Sequence, residues 1–266
     1  MPIHPIELAD KLVRSGDKYR YRLDLQYDGT EFSGMQWQPR KRTVQKCLED
    51  ALEILFCSKV RVITSSRTDA GVHAERQVVH FDSAKWRKPS SIVRACNVTL
   101  PPDIRIVHAE EVDAGFHARF SAKWRAYRYQ IAQVPVAIGR QFVWQYFKQV
   151  DTPRLCSLAG VIIGNHNFTA FAHESPTEKH NYECTVYRSE WRQVGDLLQY
   201  EIDASRYVHG MVRMLVGTMI DIASGRENML DFDKIMKSMD NRFAGTKAPP
   251  SGLTLSRIAY REWPDF

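Results

Sequence analysis

The chain of 266 residues is 44% hydrophobic and 26% charged, with a net charge of +6 and a pI near 9.0. That composition excludes fibrous and disordered classes, and no apolar run reaches the roughly 18 residues of a membrane-spanning helix. The modest basic excess suits a polyanionic partner and suits plain solubility equally well. Five scattered cysteines (Cys47, Cys57, Cys96, Cys156, Cys184), odd in number and without a Cys-x-x-Cys pair, fit a reducing compartment.

Taken in chain order, residues 1–18 read as an N-terminal extension. They lack the apolar core of a secretory signal, and Glu7, Asp10 and Asp17 argue against a transit peptide. Tyr19, Tyr21, Leu23, Leu25 and Tyr27 then alternate with Arg20, Arg22, Asp24 and Gln26, the period of a half-buried strand. Asp28-Gly29-Thr30 ends it in a turn. Thr43 is the expected N-cap of a helix whose apolar residues are Val44, Cys47, Leu48, Ala51, Leu52, Leu55 and Phe56. Short strands are expected at residues 60–64, 77–81 and 104–107, the last after the turn at Pro101-Pro102-Asp103.

The second half repeats the plan. Strands are expected at residues 124–131, 185–191 and 198–204, the last with Leu198, Tyr200, Ile202 and Ala204 on one face. A helix follows with Val208, Met211, Val212, Leu215, Val216, Met219 and Ile220, and Gly225 is placed to stop it. Its apolar offsets match those of the first helix position for position. Alone this is weak support for duplication; a strand before each helix strengthens it. Lys247-Ala248-Pro249-Pro250-Ser251-Gly252 forms a loop before the last strand, residues 253–260. Antiparallel strands with helices on one face give an α+β fold.

The densest chemistry lies in Ser65-Ser66-Arg67-Thr68-Asp69-Ala70-Gly71-Val72-His73-Ala74, a loop between two expected strands. Small residues surround Arg67, Asp69 and His73, so backbone can approach a ligand closely. A polar surface loop with an Asx turn at Asp69 reads the same residues without function. His166, His173, His180 and Cys184 cluster in sequence, but their spacing fits no zinc pattern.

Residues 67–74 resemble the signature of the TruA family of tRNA pseudouridine synthases. Further segments stand in that family's order: Tyr27-Asp28-Gly29-Thr30 with Phe32-Ser33-Gly34, then Leu100-Pro101-Pro102-Asp103-Ile104, then Phe116-His117-Ala118-Arg119-Phe120-Ser121-Ala122 leading to Tyr127-Arg128-Tyr129. His166-Asn167-Phe168-Thr169-Ala170-Phe171, Met211-Val212-Arg213 and Ala248-Pro249-Pro250-Ser251-Gly252-Leu253 follow. The resemblance runs from about Tyr21 to Tyr260, and many motifs in one order make it specific. Three departures stand out. Ser66 replaces a customary Gly, so an ordinary backbone is expected there. Met35 replaces a customary Trp, with Trp37 nearby. The N-terminal extension has no counterpart.

The resemblance implies a cofactor-free, metal-free isomerase. Isomerising uridine breaks the C1′–N1 bond, turns the base and joins C1′ to C5. Asp69 matches the catalytic carboxylate, acting covalently or by stabilising a ribose cation or glycal. Arg213 matches an active-site Arg that pairs with it. On the expected helix, Arg206, His209 and Arg213 share a flank off the apolar stripe. Tyr127 matches a Tyr that stacks under the flipped uracil with its hydroxyl near the C5 proton, whereas Tyr129 reads as a core aromatic. Leu253 is either the apolar residue that packs on the base or an ordinary core leucine. Arg67 resembles the Arg that fills the space left by the flipped base. Arg40, Lys41, Arg42, Lys85, Arg87, Lys88, Arg119, Lys123 and Arg125 are candidates for tracking RNA phosphates, though singly each reads as a solvated charge.

The expected fold is α+β: two similar halves, residues 19–115 with the Asp69 loop and 116–266, joining mostly antiparallel sheets around a central cleft, with helices on the outer face. The resemblance implies a cytoplasmic homodimer acting on uridines 38 to 40 of the tRNA anticodon arm. A non-catalytic RNA-binding protein on this scaffold is the rival from another class. Asp69, Tyr127 and Arg213 occurring together oppose it, because a pure binder of a polyanion needs no carboxylate. A synthase acting on another RNA is the third reading.

Overall fold

The computed structural model describes residues 18–173, 181–226 and 231–263. Nearly all of the N-terminal extension, and His180, lie outside them. The chain divides into two compact units, Met1–Lys123 and Trp124–Phe266.

In the first unit, β1 (Tyr19–Tyr27) is flanked by antiparallel β3 (His73–Ser83) and β4 (Ile104–Val112), and β2 (Ile63–Thr64) adds to β3. The alternation read in β1 is carried into burial: Tyr21, Leu23, Leu25 and Tyr27 are all buried. Thr43 caps α1 (Val44–Phe56), its hydroxyl accepting from the Lys46 N–H at 3.3 Å. The last turn of α1 closes the core, where Tyr21 stacks on Phe81 (5.3 Å) and Phe56 meets Phe81 edge-on (5.5 Å). A second helix, α2 (Pro89–Thr99), packs beside α1 and on β4. It has no counterpart among the expected elements, since it buries only Ile92 and Cys96, one turn apart. Residues 116–122, which motif order put with the second half, belong to the first unit. The Arg20 guanidinium donates to the Phe116 carbonyl (2.9 Å), and the Ala118 N–H donates to His80 Nδ1 (3.1 Å).

The second unit holds an antiparallel sheet in the order β10 (Leu253–Ala259), β5 (Trp124–Ala132), β9 (Leu197–Ala204), β8 (Glu183–Val194), β7 (Gly164–Asn167). The short β6 (Trp144–Gln145) runs parallel to the end of β5, beyond the reach of β10. The helices are α3 (Thr152–Val161), α4 (Met211–Ala223) and α5 (Phe232–Ser238). Leu198, Tyr200, Ile202 and Ala204 are fully buried, as their alternation predicts. Trp191 of β8 stacks at a tilt on Tyr200 (4.9 Å) and points its indole N–H at Met219 of α4, which places α4 over this apolar face. On the other face of β9, Glu201 pairs with Arg188 (2.6 Å) and Arg192, and Asp203 lies 3.1 Å from Arg188.

The expected helix over Val208–Ile220 starts three residues late. Gly210 has φ +74, outside the helical region, and Met211 N–H closes a turn onto the Val208 carbonyl (3.1 Å). At the far end, Gly225 (φ +72) follows the last turn, as its position predicted. The fold is α+β, with mostly antiparallel strands and helices packed on them.

Candidate active site

Residues 65–72 leave β2 and enter β3, and every few atoms of this loop are tied down. Ser65 N–H donates to the Val78 carbonyl at 2.9 Å. The wholly buried Gln77 accepts from Ser66 N–H (3.2 Å) and donates to the Ser66 carbonyl (2.9 Å). Tyr27, ending β1, holds its hydroxyl 2.8 Å from Thr68 Oγ1. Segment 29–35 supplies the rest: Met35 N–H donates to the Thr68 carbonyl (3.1 Å) and Gly71 N–H to the Phe32 carbonyl (3.2 Å). Within the loop, Val72 N–H returns to the Asp69 carbonyl (3.2 Å) and closes a turn. Asp69 is half-buried and Arg67 exposed.

Two glycines of the opening motif are explained by this contact. Gly34 has φ +95, and a side chain there would approach the Thr68 carbonyl to 2.9 Å. A methyl on Gly29 would overlap the Val72 carbonyl outright. Gly29 N–H donates to His73 Nδ1 (3.0 Å), so the proton of the neutral ring sits on Nε2. The Asp28 carboxylate lies 3.2 Å from that same nitrogen. His73 is a buried support for the loop. Ser66 is absent from the residues with positive φ, so its backbone is ordinary as expected. Met35 is wholly buried whereas Trp37 is 40% exposed, so the two do not share an environment.

The second unit carries the other candidates. Tyr127, 7% exposed, sits on β5 opposite Ile202 of β9 and Leu255 of β10. Tyr207 meets its ring edge-on at 4.9 Å. The Tyr207 hydroxyl has one proton to share between the carbonyls of Arg125 (3.0 Å) and Ile202 (2.9 Å), and burial pushes its pKa well above the usual phenol value. Leu253, 6% exposed, pairs with Tyr129. Tyr129 is the core aromatic expected: wholly buried, it donates to the Pro249 carbonyl (2.8 Å), and burial raises its pKa.

Arg213 lies in the first turn of α4. Its Nε donates to the Ala248 carbonyl (2.7 Å), and Ala248 N–H donates back to the Arg213 carbonyl (3.1 Å). The same helix holds the chain just upstream, through Gly245 N–H to Thr218 Oγ1 (2.9 Å) and Thr246 N–H to Asp221 Oδ2 (2.7 Å). A methyl on Gly217 would overlap the Thr246 carbonyl. Arg206 and His209 do not share the helix with Arg213 as expected; they precede it in the connection from β9.

The geometry thus contains a half-buried carboxylate on a rigid loop, and a buried tyrosine and an arginine whose supports are rigid. Sequence reasoning missed the supports. Gln77 carried one signal, a polar side chain at an inward strand position; Tyr207, a lone tyrosine in a connection, carried none. Among the described residues, no three or more His, Cys, Asp or Glu side chains are grouped to hold a metal ion, and no helix is long and apolar enough to cross a membrane.

The sequence profile of the family described as tRNA pseudouridine synthase matches residues 25–121 and 159–261. Tyr27, Arg67, Asp69, Arg213 and Leu253 fall inside those spans, and Tyr127 lies between them. The chain is 38% identical over 244 residues to a tRNA pseudouridine synthase A from Geobacillus sp. (strain WCH70), covering 91% of this chain and 98% of that protein. It is 39% identical over 245 residues to one from Chloroflexus aurantiacus (89% and 87% covered), and 36% identical over 252 residues to one from Gloeobacter violaceus (94% and 83%).

Proposed function

Because the chain belongs to the tRNA pseudouridine synthase family and is thereby an isomerase, we propose that it converts uridine to pseudouridine at positions 38 to 40 of the tRNA anticodon arm, with Asp69 as the reacting carboxylate. The observation that carries this reading is the Asp69 loop itself. It bears the motif, sits inside the matched span, and is tied on both flanks so that one carboxylate stands on a fixed backbone.

In this reaction the C1′–N1 bond breaks, uracil turns, C1′ bonds to C5, and the proton on C5 leaves while N1 ends protonated. Asp69 either attacks the ribose or stabilises a cation or glycal; both routes need the ionised carboxylate. Tyr127 stacks under the flipped base with its hydroxyl toward the C5 proton, Leu253 packs on the base, and Arg213 faces the carboxylate. The bond from Arg213 Nε to the Ala248 carbonyl supports its role, because it fixes the guanidinium before substrate arrives. The reading takes Asp69 from the first unit and Tyr127 and Arg213 from the second.

The target base lies in a stem and must leave the stack. Arg67, exposed and two residues from Asp69, takes its place. Arg67→Ala then slows turnover far more than it weakens tRNA binding; a pure affinity loss with unchanged turnover contradicts that role. The protein acts in the cytoplasm as a homodimer, in keeping with five free thiols. A strictly monomeric species at micromolar concentration in light scattering contradicts the dimer.

The deciding experiment is tritium release from C5-labelled uridine in tRNA. Asp69→Asn keeps size and removes charge. It is expected to be as inactive as Asp69→Ala while remaining folded and able to bind tRNA. An Asx-turn role predicts instead that Asn restores activity, and substantial release by Asp69→Asn overturns the reading.

A further inference from the structure

Phe120 is anomalous for an apolar side chain. It is 77% exposed, yet it stands on a turn held by several hydrogen bonds. His117 Nδ1 accepts from both Arg119 N–H and Phe120 N–H (3.2 Å each), so the ring caps the turn and its proton sits on Nε2. Ser121 closes the turn from the other end: its hydroxyl accepts from His117 N–H (2.9 Å) and its own N–H donates to the His117 carbonyl (2.9 Å). Arg20, salt-bridged to Asp82 (2.7 Å), donates to the carbonyls of Ala114 and Phe116 and fixes the approach to the turn.

The rings form a column. Phe120 stacks on His117 (centroids 4.3 Å, planes 30° apart), and His117 meets the buried His80 at 4.8 Å. One face of Phe120 is thus occupied and the rest of the ring open to solvent. Burial and the Arg20 charge lower the pKa of His117, which keeps the capping ring neutral. Basic side chains stand close by. The Arg119 guanidinium lies 5.8 Å from the Phe120 ring, Lys123 is exposed nearby in sequence, and after Asp113 the chain carries no acidic residue until Asp151. An apolar protein partner needs no such charge bias, whereas a nucleobase flanked by phosphates needs both the ring and the cations.

The geometry points to Phe120 as a stacking platform for one unpaired nucleobase of the RNA substrate, with Arg119 on an adjoining phosphate. This rests on the proposed function and adds a base contact on a turn other than the Asp69 loop. The preorganised turn means that little side-chain freedom is lost when the base arrives.

The test measures affinity of the full-length protein for tRNA across salt concentrations, with tritium release on the same tRNA. Phe120→Ala should weaken binding roughly tenfold or more with an unchanged salt slope. Arg119→Ala should lower the slope by about one unit. Phe120→Tyr, which keeps a π face, should bind as wild type does, and Phe120→Leu, which keeps only apolar bulk, should not. In tRNAs carrying one abasic residue at each unpaired position in turn, one position should erase the difference between wild type and Phe120→Ala. Equal affinity of Phe120→Ala for every RNA overturns the platform, as does rescue by Leu. A lower mass of Phe120→Ala in light scattering also overturns it, marking Phe120 as a protein contact. Wild-type protein that releases no tritium defeats the functional reading instead, which separates the two failures.

Discussion

In the first unit the Asp69 loop is tied to segment 29–35 by main chain. Met35 and Gly71 N–H groups bridge segment 29–35 and the loop, and the glycines of that segment let the two backbones touch. In the second unit the strip 245–248 is held chiefly by side chains of one helix, through Arg213, Thr218 and Asp221, with Gly217 as the single close approach. Main-chain bonds survive most substitutions, whereas side-chain bonds are lost one residue at a time. The loop that presents the carboxylate is therefore the more robust to side-chain change and the more dependent on its glycines.

The largest expected effect tests that contrast at the two glycines. Ala for Gly inside a helix ordinarily stabilises by about 1 kcal/mol. Gly217→Ala should reverse the sign and cost about 3 kcal/mol, because its methyl cannot coexist with the Thr246 carbonyl and either helix or strip must move. Gly29→Ala should displace Val72 in the same way and, being beside the Asp69 turn, lower kcat more than stability. Urea unfolding and single-turnover rates measure both. A stabilised Gly217→Ala protein contradicts the tight approach.

The units also carry titratable groups of opposite sign. In the first, burial and the Arg20 charge push the His80 pKa down to about 4, while Asp82 pulls weakly the other way. The unfolded chain therefore takes up this proton first as pH falls, and stability present above about 6.5 is lost toward 4. In the second, burial and the Glu201 and Glu190 charges push Asp203 up to about 6 against the pull of Arg188. Its contribution is whole below the unfolded value, about 3.9, and is lost as pH rises through 6. Each is on the order of 2–3 kcal/mol across its window. His80→Asn keeps an acceptor for Ala118 N–H and should make stability rise less, or fall, between pH 4 and 6; Asp203→Asn should make it rise more steeply. Urea midpoints over that range measure both slopes, and a shift in the same direction by both variants sinks the assignment.

How much of this was legible in the sequence follows from how periodic each part is. β1, α1 and β9 were readable because their buried residues recur at strand or helix spacing, and Thr43 marked where α1 starts. α2 was not, because two buried residues make no pattern. α4 was misplaced at its start because Val208 continues the apolar spacing while Gly210 breaks the backbone. The Asp69 loop was found by its motif. Its supports were not, because Tyr27, Gln77 and Met35 are 8 to 42 residues away in sequence and meet it only through strand pairing and turn geometry. Phe120 lies within a family motif, but exposure has no sequence signature.

The smallest expected effect separates side-chain from main-chain support within the Asp69 loop. Tyr27→Phe removes only the hydroxyl that meets Thr68 Oγ1 at 2.8 Å, a buried bond next to the carboxylate. Gln77, 3.4 Å from that hydroxyl, keeps its stronger bond to the Ser66 carbonyl at 2.9 Å. The cost should be about 1 kcal/mol of stability, the ordinary worth of one such bond. The main-chain ties from Met35 and Gly71 remain, so Asp69 stays in place and kcat should fall only a few-fold with KM unchanged. Thr68→Val removes the partner hydroxyl while keeping the shape. The double variant Tyr27→Phe/Thr68→Val should then cost less than the two single changes added, since one bond cannot be lost twice. Denaturation midpoints and steady-state tritium release give the cycle. Additive costs would mean that the two hydroxyls do not bond each other, and a hundredfold loss of kcat from Tyr27→Phe alone would mean that the loop depends on side chains as heavily as the strip on α4 does.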